Sequence, residues 1–304
     1  MDATQGLQTI KTINYGLVSI IMPTYKQCEL MHKAVQSVLN QSYKNIELIV
    51  IDDNREESYR EANKRYFDEL NDSRIIYLQN EINLGSARTR NKGIELSKGD
   101  YITFLDDDDY YTEYKVEKQV EAMHNENAEA SICNLILFNE DGKVTDKRRR
   151  RYLKRNEPIL TAHLKYHITG TDTMMYKADF IKEIGGFDTE DLGDEFYLMY
   201  KAVSKSPKFL HVDYDGAFAI VHNQAGLSSG DNKIKAEKML MEFKRTHFDS
   251  LKRKDIRYIK MRHNMVLAMA HKKNRSYFKC LGHLIKAVLI CPFGMLKILT
   301  GKDR

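Results

Sequence analysis

Gly99-Asp100-Tyr101-Ile102-Thr103-Phe104-Leu105-Asp106-Asp107-Asp108-Asp109 decides how this chain folds. Tyr101 to Leu105 is a short apolar run rich in aromatic and β-branched side chains, the pattern of a strand covered on both faces. It ends in four adjacent carboxylates. Such charges repel one another, and local folding gives no reason to collect them at the end of a buried strand. A hard divalent cation does, because Mg²⁺ and Mn²⁺ prefer carboxylate oxygens, commonly shared with substrate phosphates. The alternative is an acidic turn that caps the start of a helix.

Working outward, the same design repeats upstream. Val18 to Met22 is an apolar run stopped by Pro23, and Glu47 to Ile51 is a second that runs into Asp52-Asp53-Asn54. Arg74 to Leu78 is a third. Between them, Leu30 to Leu39, Ser58 to Leu70 and Ser86 to Ser97 carry helical patterns. Downstream, the pattern predicts a helix over Lys115 to His124 and a strand over Ala130 to Phe138. Lys143 to Arg155 reads as an exposed basic loop, Ile181 to Gly186 as a helix end and turn, and Asp194 to Ser204 as a helix. The chain is largely helical beyond Lys233. Alternating strands and helices with near-continuous apolar strands predict an α/β fold, a mostly parallel sheet flanked by helices. Ligands of such sheets bind beyond the carboxyl ends of the strands. Pro23-Thr24-Tyr25, Asp52-Asp53 and the four aspartates therefore converge on one edge.

Composition sets the class. With 304 residues, 42% hydrophobic and 30% charged, the chain can bury a sizeable core and reads as globular. Met1 to Tyr15 has no apolar segment of the signal-peptide kind. Cys28, Cys133, Cys280 and Cys291 are widely spaced, which suits a reducing cytoplasm better than a disulfide framework or a zinc site. Charge is divided. Leu251 to Arg304 holds 14 Lys/Arg against 2 Asp/Glu, a net of +12, while the rest of the chain is acidic. A basic arm of this kind meets a polyanion, either nucleic acid or an anionic membrane.

Five motifs in order give a resemblance. Val18-Ser19-Ile20-Ile21-Met22-Pro23-Thr24-Tyr25, Asp52-Asp53, Asn83-Leu84-Gly85 with Arg90-Asn91-Lys92-Gly93, the Gly99 to Asp109 stretch, and Gly185-Gly186-Phe187-Asp188 with Gly193-Asp194-Glu195-Phe196-Tyr197-Leu198 resemble the motifs of family 2 glycosyltransferases. The resemblance covers roughly residues 17 to 228. It implies a GT-A, Rossmann-like fold, a nucleotide-sugar donor (a UDP-sugar is expected) and inversion at the anomeric carbon. It places Pro23, Thr24 and Tyr25 over the nucleobase, Tyr25 offering a face for stacking or else serving as a strand-end core residue. It gives Asp53 a hydrogen bond from the base. Arg90 falls near the diphosphate, with Arg88 as an alternative. Asp106, Asp107 and Asp108 fall in the D-x-D region, Asp108 as direct ligand of Mn²⁺ or Mg²⁺ and Asp106 toward the sugar or ribose.

The resemblance also places the catalytic base in the pair Asp194-Glu195. The family most often carries Asp at the second position, and Glu195 departs from that, so the choice between the two stays open. General base chemistry needs one carboxylate within reach of the acceptor hydroxyl; the other can be a helix N-terminal charge. His222, before Asn223 to Ser228, resembles a late histidine of the family that approaches the metal; it also fits a hydrogen-bonded loop residue.

Three regions are expected: a lead-in over 1–16, a catalytic domain over 17–232 (nucleotide-binding half 17–109, acceptor half 110–232), and a helical basic region over 233–304. In that last region Leu281, Leu284, Ile285, Val288, Leu289, Phe293 and Leu296 recur at helical spacing among Lys279, Lys286 and Lys297, with a break expected at Pro292. This reads as an interfacial helix on an anionic membrane surface, or as a stripe packed on the catalytic domain. The Lys147 to Arg151 run reads as a second contact for headgroups or an acceptor pyrophosphate. The expected partners are the donor, a glycan or lipid-linked acceptor and the inner face of the cell membrane. Nucleic acid is not expected, since no reader motif occurs and the aspartate edge repels phosphates. The rival readings are a nucleotidyltransferase, which usually has an early glycine-rich phosphate loop that Pro23-Thr24-Tyr25-Lys26 does not supply, and a non-catalytic membrane- or nucleic-acid-binding partner.

Overall fold

The computed structural model describes residues 14–26, 29–150, 153, 157–188, 193–206, 208–222 and 230–300. Most of the lead-in, Cys28, Arg151 and the Asn223 to Ser228 segment lie outside the described residues.

The first half follows its periodicity. β1 (Val18–Thr24), β2 (Ile46–Asp52), β3 (Ile75–Gln79) and β4 (Tyr101–Phe104) alternate with α1 (Glu29–Leu39), α2 (Glu57–Leu70) and α3 (Ser86–Leu96). The four strands are parallel in the order β3-β2-β1-β4. Every residue of β2 is buried, which is why it carries no alternation. α1 buries Met31, Ala34, Val35 and Val38, one face of a 3.6-residue period. α3 lies close on β1 because Gly93 has no side chain: a Cβ there would stand 2.4 Å from Ile21 Cγ2.

The second half turns the sheet. β5 (Tyr110–Tyr111) and α4 (Lys115–Glu126) lead to β6 (Ala130–Asn139), which changes partners along its length. Its start pairs antiparallel with β8 (Met174–Lys177), its end antiparallel with β7 (Val144–Arg148), and its other side runs parallel to β9 (Phe209–Val221). β8 joins β4 antiparallel, so one nine-stranded sheet runs through the molecule.

One sequence expectation is corrected and one element was unforeseen. The basic segment from Lys143 is not an open loop: Val144–Arg148 is a strand, and Arg150 is buried, donating to the carbonyls of Cys133 (2.7 Å) and Thr169 (2.6 Å). Arg149 pairs with Asp215 at 2.8 Å. A count of positive charges could not distinguish an arginine that satisfies buried carbonyls from one that faces solvent. The thirteen-residue β9 was also not anticipated, because its polar Asp213, Tyr214 and Asp215 break the apolar run.

α5 (Ile159–Tyr166), α6 (Ala178–Glu183) and α7 (Asp194–Lys205) cover the second half. The C-terminal part is helical as expected: α8 (Gly230–Arg245), α9 (Arg253–Lys273), α10 (Tyr277–Ile290) and α11 (Pro292–Leu299). Tyr258 and Met261 of α9, Ala287 of α10 and Met295 of α11 join Ile102, Phe104 and Met174 in one buried cluster. These helices therefore share a core with the sheet. Among the described residues no single helix is long and apolar enough to cross a membrane; α10 and α11 meet at a bend of 113°. The break falls where Pro292 was expected to make one, with the proline in the first turn of α11.

Candidate functional site at the carboxyl edge of the sheet

Because β1, β2 and β4 are parallel, their carboxyl ends meet at one edge. Thr24, at the end of β1, donates through Oγ1 to Asp107 Oδ2 (2.7 Å), and the Tyr25 amide donates to the same oxygen (3.0 Å). The Pro23-Thr24-Tyr25 turn is thus tied to the aspartate run. Tyr25 projects outward, 47% exposed, so its ring is open to a ligand and takes no part in the core.

Asp53 follows β2 and is buried. Its carboxylate accepts from the amides of Leu84 (2.8 Å) and Gly85 (2.9 Å) and from Asn80 Nδ2 (2.8 Å), and Asn83 donates to its carbonyl. The Asn83-Leu84-Gly85 motif is therefore a loop wrapped around one aspartate. Asp52 faces the other way and accepts from Asn54, Asn63 and Tyr77. A carboxylate offers about four acceptor sites, so Asp53 retains one beyond its three internal bonds.

Arg90 is buried and forms the hinge of the site. Its Nη2 donates to Asp106 Oδ1 (2.6 Å) and its Nη1 to Asp194 Oδ2 (3.4 Å). Burial works against its charge, but Asp106 and Asp194 outweigh it and hold the guanidinium firmly protonated. The β4 end and the start of α7, 104 residues apart, are joined through this one side chain. Arg88, the alternative, is exposed. The neighbouring Asn91 acts like a strand partner: Nδ2 donates to the Phe187 carbonyl and Oδ1 accepts from the Phe187 amide, both at 2.8 Å. Gly186, at φ 58°, is required there, since a Cβ would stand 2.5 Å from Asn91 Oδ1.

His222, just past β9, has Nε2 at 3.0 Å from Asp108 Oδ2 and Nδ1 at 3.3 Å from Glu140 Oε1. Residues 114 apart are brought together because β9 passes the aspartate run, where the Ile220 amide donates to Asp109 Oδ1 (2.9 Å). Oxygens of Asp106, Asp109 and Asp172 lie within 4.8 Å of one another. Asp172 is a member that sequence reading missed. It sits in the 3₁₀ turn Thr171–Thr173 and accepts from the Asp106 amide (2.8 Å). Thr171-Asp172-Thr173 gave no pattern that distinguishes it from an ordinary loop.

These carboxylates share too little positive charge. Burial lifts Asp107 to about 7 and, aided by the charge of Asp106, Asp172 also to about 7. Burial and Asp106 raise Asp108, partly offset by His222, while burial and Asp172 raise Asp109 well above the usual range. A divalent cation would relieve this surplus, and the donors present, carboxylate oxygens and one imidazole nitrogen, suit Mn²⁺ or Mg²⁺.

Asp194 and Glu195 open α7 after Gly193, whose φ of 87° makes the turn into the helix. They point to different partners. Asp194 is buried against Arg90, and burial lifts it to about 6 against the pull of that cation. Glu195 is half-buried and is held by neutral donors, the Gly170 amide (3.1 Å) and the Thr171 hydroxyl.

The comparisons with known proteins bear on family and fold. The model of the family described as glycosyl transferase family 2 matches residues 19–185, more than half of the chain. The chain is 44% identical over 99 residues to the putative colanic acid biosynthesis glycosyl transferase WcaA of Escherichia coli K12, covering 33% of this chain and 35% of that protein. It is 39% identical over 122 residues to the UDP-Glc:alpha-D-GlcNAc-diphosphoundecaprenol beta-1,3-glucosyltransferase WfaP of Escherichia coli, covering 40% and 47%. These matches span about a third to a half of each relative's length. Among solved structures, S. aureus TarS 1-349 in complex with UDP-GlcNAc superposes with a TM-score of 0.57 at 16% identity, covering 89% of this chain and 90% of that one. That likeness is one of fold, the GT-A fold.

Proposed function

Because the chain belongs to glycosyl transferase family 2, we propose that it transfers a sugar from a nucleotide-diphosphate donor, a UDP-sugar, to a hydroxyl of a glycan or lipid-linked acceptor in surface polysaccharide synthesis, with inversion at the anomeric carbon. One observation carries the reading: the aspartate run at the end of β4 meets His222 on one side and, through Arg90, the acidic start of α7 on the other. This arrangement supports a reading in which a donor edge and a base lie side by side. The relatives' names support the setting, since WcaA is assigned to colanic acid and WfaP to a diphosphoundecaprenol acceptor.

In this reading the Pro23-Thr24-Tyr25 turn covers the nucleobase, Tyr25 stacks on it, and Asp53 accepts a base N–H at its remaining site. Asp107 fixes that turn to β4 through Thr24, and Asp106 faces the ribose or sugar. Arg90 works from inside, positioning Asp106 and Asp194 relative to each other. Asp108 and His222 would hold Mn²⁺ or Mg²⁺, which when bound supplies positive charge to the departing diphosphate. Glu195 is the base: it is the more accessible of the pair and is held by the Gly170 amide and the Thr171 hydroxyl, whereas Asp194 is paired directly with Arg90. Its carboxylate removes the acceptor O–H proton, the oxygen lone pair forms the new bond to the anomeric carbon, and the old carbon–oxygen bond leaves with its electrons on the diphosphate.

A panel of nucleotide-sugars assayed for hydrolysis and transfer, with Mn²⁺, Mg²⁺ or chelator, tests the proposal. Metal-dependent release of UDP is expected. Binding of no nucleotide-sugar by well-folded protein would remove the reading.

A further inference from the structure

α10 is turned inside out. The residues it presents to α9 are small or polar: Cys280 and Ala287 are buried, and His283 Nδ1 lies 2.9 Å from Asn264 Oδ1. Most of its large apolar side chains face solvent instead, while Leu284 and Ile290 are half-buried, Ile290 against the core. Phe278 is 95% exposed and Leu289 75%, with Leu281 and Ile285 between them on the same face, and Phe293 on α11 is 80% exposed. An ordinary surface helix has the opposite arrangement, and a contiguous apolar face of this kind marks an interaction site.

The rim selects the occupant. Lys279, Lys286 and Lys297 are exposed beside the apolar face, with Lys272, Lys273 and Arg275 at the α9–α10 turn. The sequence has no Asp or Glu between Ile256 and Lys302. A cavity of about 540 Å³ adjoins the bend, lined by Phe293 and Lys297 of α11 and by Lys252, Lys254 and Tyr258. Its acidic residues, Glu157 and Asp255, are both engaged by Lys165 (2.6 and 3.0 Å). The exposed lysines thus leave it a positive mouth fit for a phosphate headgroup. A second copy of this face would bring like charges together with no acidic complement, and a nucleic acid backbone would not use the apolar centre.

Geometry excludes a simple span. At 1.5 Å per residue α10 is only about 21 Å long, short of the ~30 Å hydrocarbon core, and α11 departs at 113°. We infer that the α10–α11 elbow lies in the surface of an anionic phospholipid bilayer, its apolar face among the acyl chains and its lysines at the phosphates. The inference deepens the proposed function and rests on it only for what the docking serves. α5, which contributes Lys165 and Tyr166 to the cavity, runs directly into the segment whose Gly170 and Thr171 hold Glu195. An acceptor anchored in the same bilayer would approach from this side.

Flotation of the full chain with phosphatidylcholine vesicles, with and without phosphatidylglycerol, tests it. Binding should require the anionic lipid, weaken with salt and in part survive it. Each lysine near such a surface contributes about a fivefold gain in partitioning, so Lys279→Gln, Lys286→Gln and Lys297→Gln together should lower it about a hundredfold. Phe278→Ser, Leu289→Ser and Phe293→Ser together should lower it at least as much and make the residual binding fully salt-sensitive. All six side chains are exposed, so the melting temperature should hold in both variants. Wild-type protein that ignores anionic vesicles at low salt overturns the inference. So does a wild-type dimer in lipid-free solution that the serine variant dissociates, with no vesicle binding, since the face would then belong to a second copy. Protein that floats but acts on no nucleotide-sugar overturns the functional reading and leaves the surface standing.

Discussion

The carboxyl edge of the sheet and the C-terminal elbow break opposite rules. The edge draws five carboxylates, Asp106 to Asp109 and Asp172, into a partly buried site where Arg90 and His222 pair with only two of them directly. The elbow leaves Phe278, Leu289 and Phe293 in water. Buried charge is costly without compensation, and exposed apolar area forgoes the burial that drives folding. Each region is less stable alone than its sequence could have made it. In the readings proposed above, each would be completed by something from outside the chain, a cation and a diphosphate at the edge and a lipid surface at the elbow. Function shows here as a local surplus, of charge in one place and of apolar area in the other.

The largest effect is expected where the surplus charge is removed. Asp108→Ala should abolish transfer and the metal dependence of UDP binding, with the fold intact, because the residue lies at the edge and outside the core. Calorimetric UDP titration with and without Mn²⁺ checks it, and unchanged metal dependence would take Asp108 out of the ligand set. Next, Glu195→Gln should lower turnover by about 10²–10⁴ with little change in donor affinity. Asp194→Asn acts through Arg90 and should weaken transfer less. Wild-type turnover in the first variant with loss in the second would exchange their roles.

A smaller effect separates structural from surface arginines. Arg150→Ala removes the donor to the carbonyls of Cys133, Arg148 and Thr169 and should cost about 2–3 kcal/mol, read as a lower melting temperature. Arg148→Ala, at an exposed position, should change it little. Equal behaviour would contradict the burial of Arg150.

The smallest effect is a pH dependence. Asp107 and Asp172 stand near 7 in the folded chain and Asp194 near 6, against about 3.9 unfolded. Between those limits the folded chain holds more protons, so these groups make metal-free stability fall as pH rises from about 4 to 7. Buried His163, pushed by desolvation to about 3, and His167, also lowered, act in the opposite direction. The difference with and without Mn²⁺ removes their share. The Mn²⁺-induced rise in melting temperature should be larger at pH 8 than at pH 5, where protons occupy the carboxylates, and should vanish in Asp108→Ala. A rise independent of pH would separate the metal from this cluster.

Legibility in the sequence follows the range of the forces involved. β1 to β4 and α1 to α3 were readable within a residue or two, because each is a continuous apolar run or a clear helical stripe. The Pro23, Asp53 and Asp106 to Asp108 positions were readable because parallel strands must bring their carboxyl ends to one edge. β9 was not, since its hydrogen-bonding partner β6 lies some 80 residues away and its composition is mixed. β7 was hidden by its charges.

The sequence by itself determined the α/β alternation, the acidic edge, the split of charge and the apolar stripe near the C-terminus, all of which depend on residues close together along the chain. Only the tertiary structure decided that Arg90 bridges Asp106 to Asp194, that His222 meets Asp108, that Asp172 joins the cluster, and that Arg150 is interior. It also decided which side of α10 faces outward. Helical spacing defines a stripe but not what lies against it, and that depends on how α9 packs. Contacts between residues 66 to 114 apart arise from the path of the sheet, and no local pattern in the chain encodes that path.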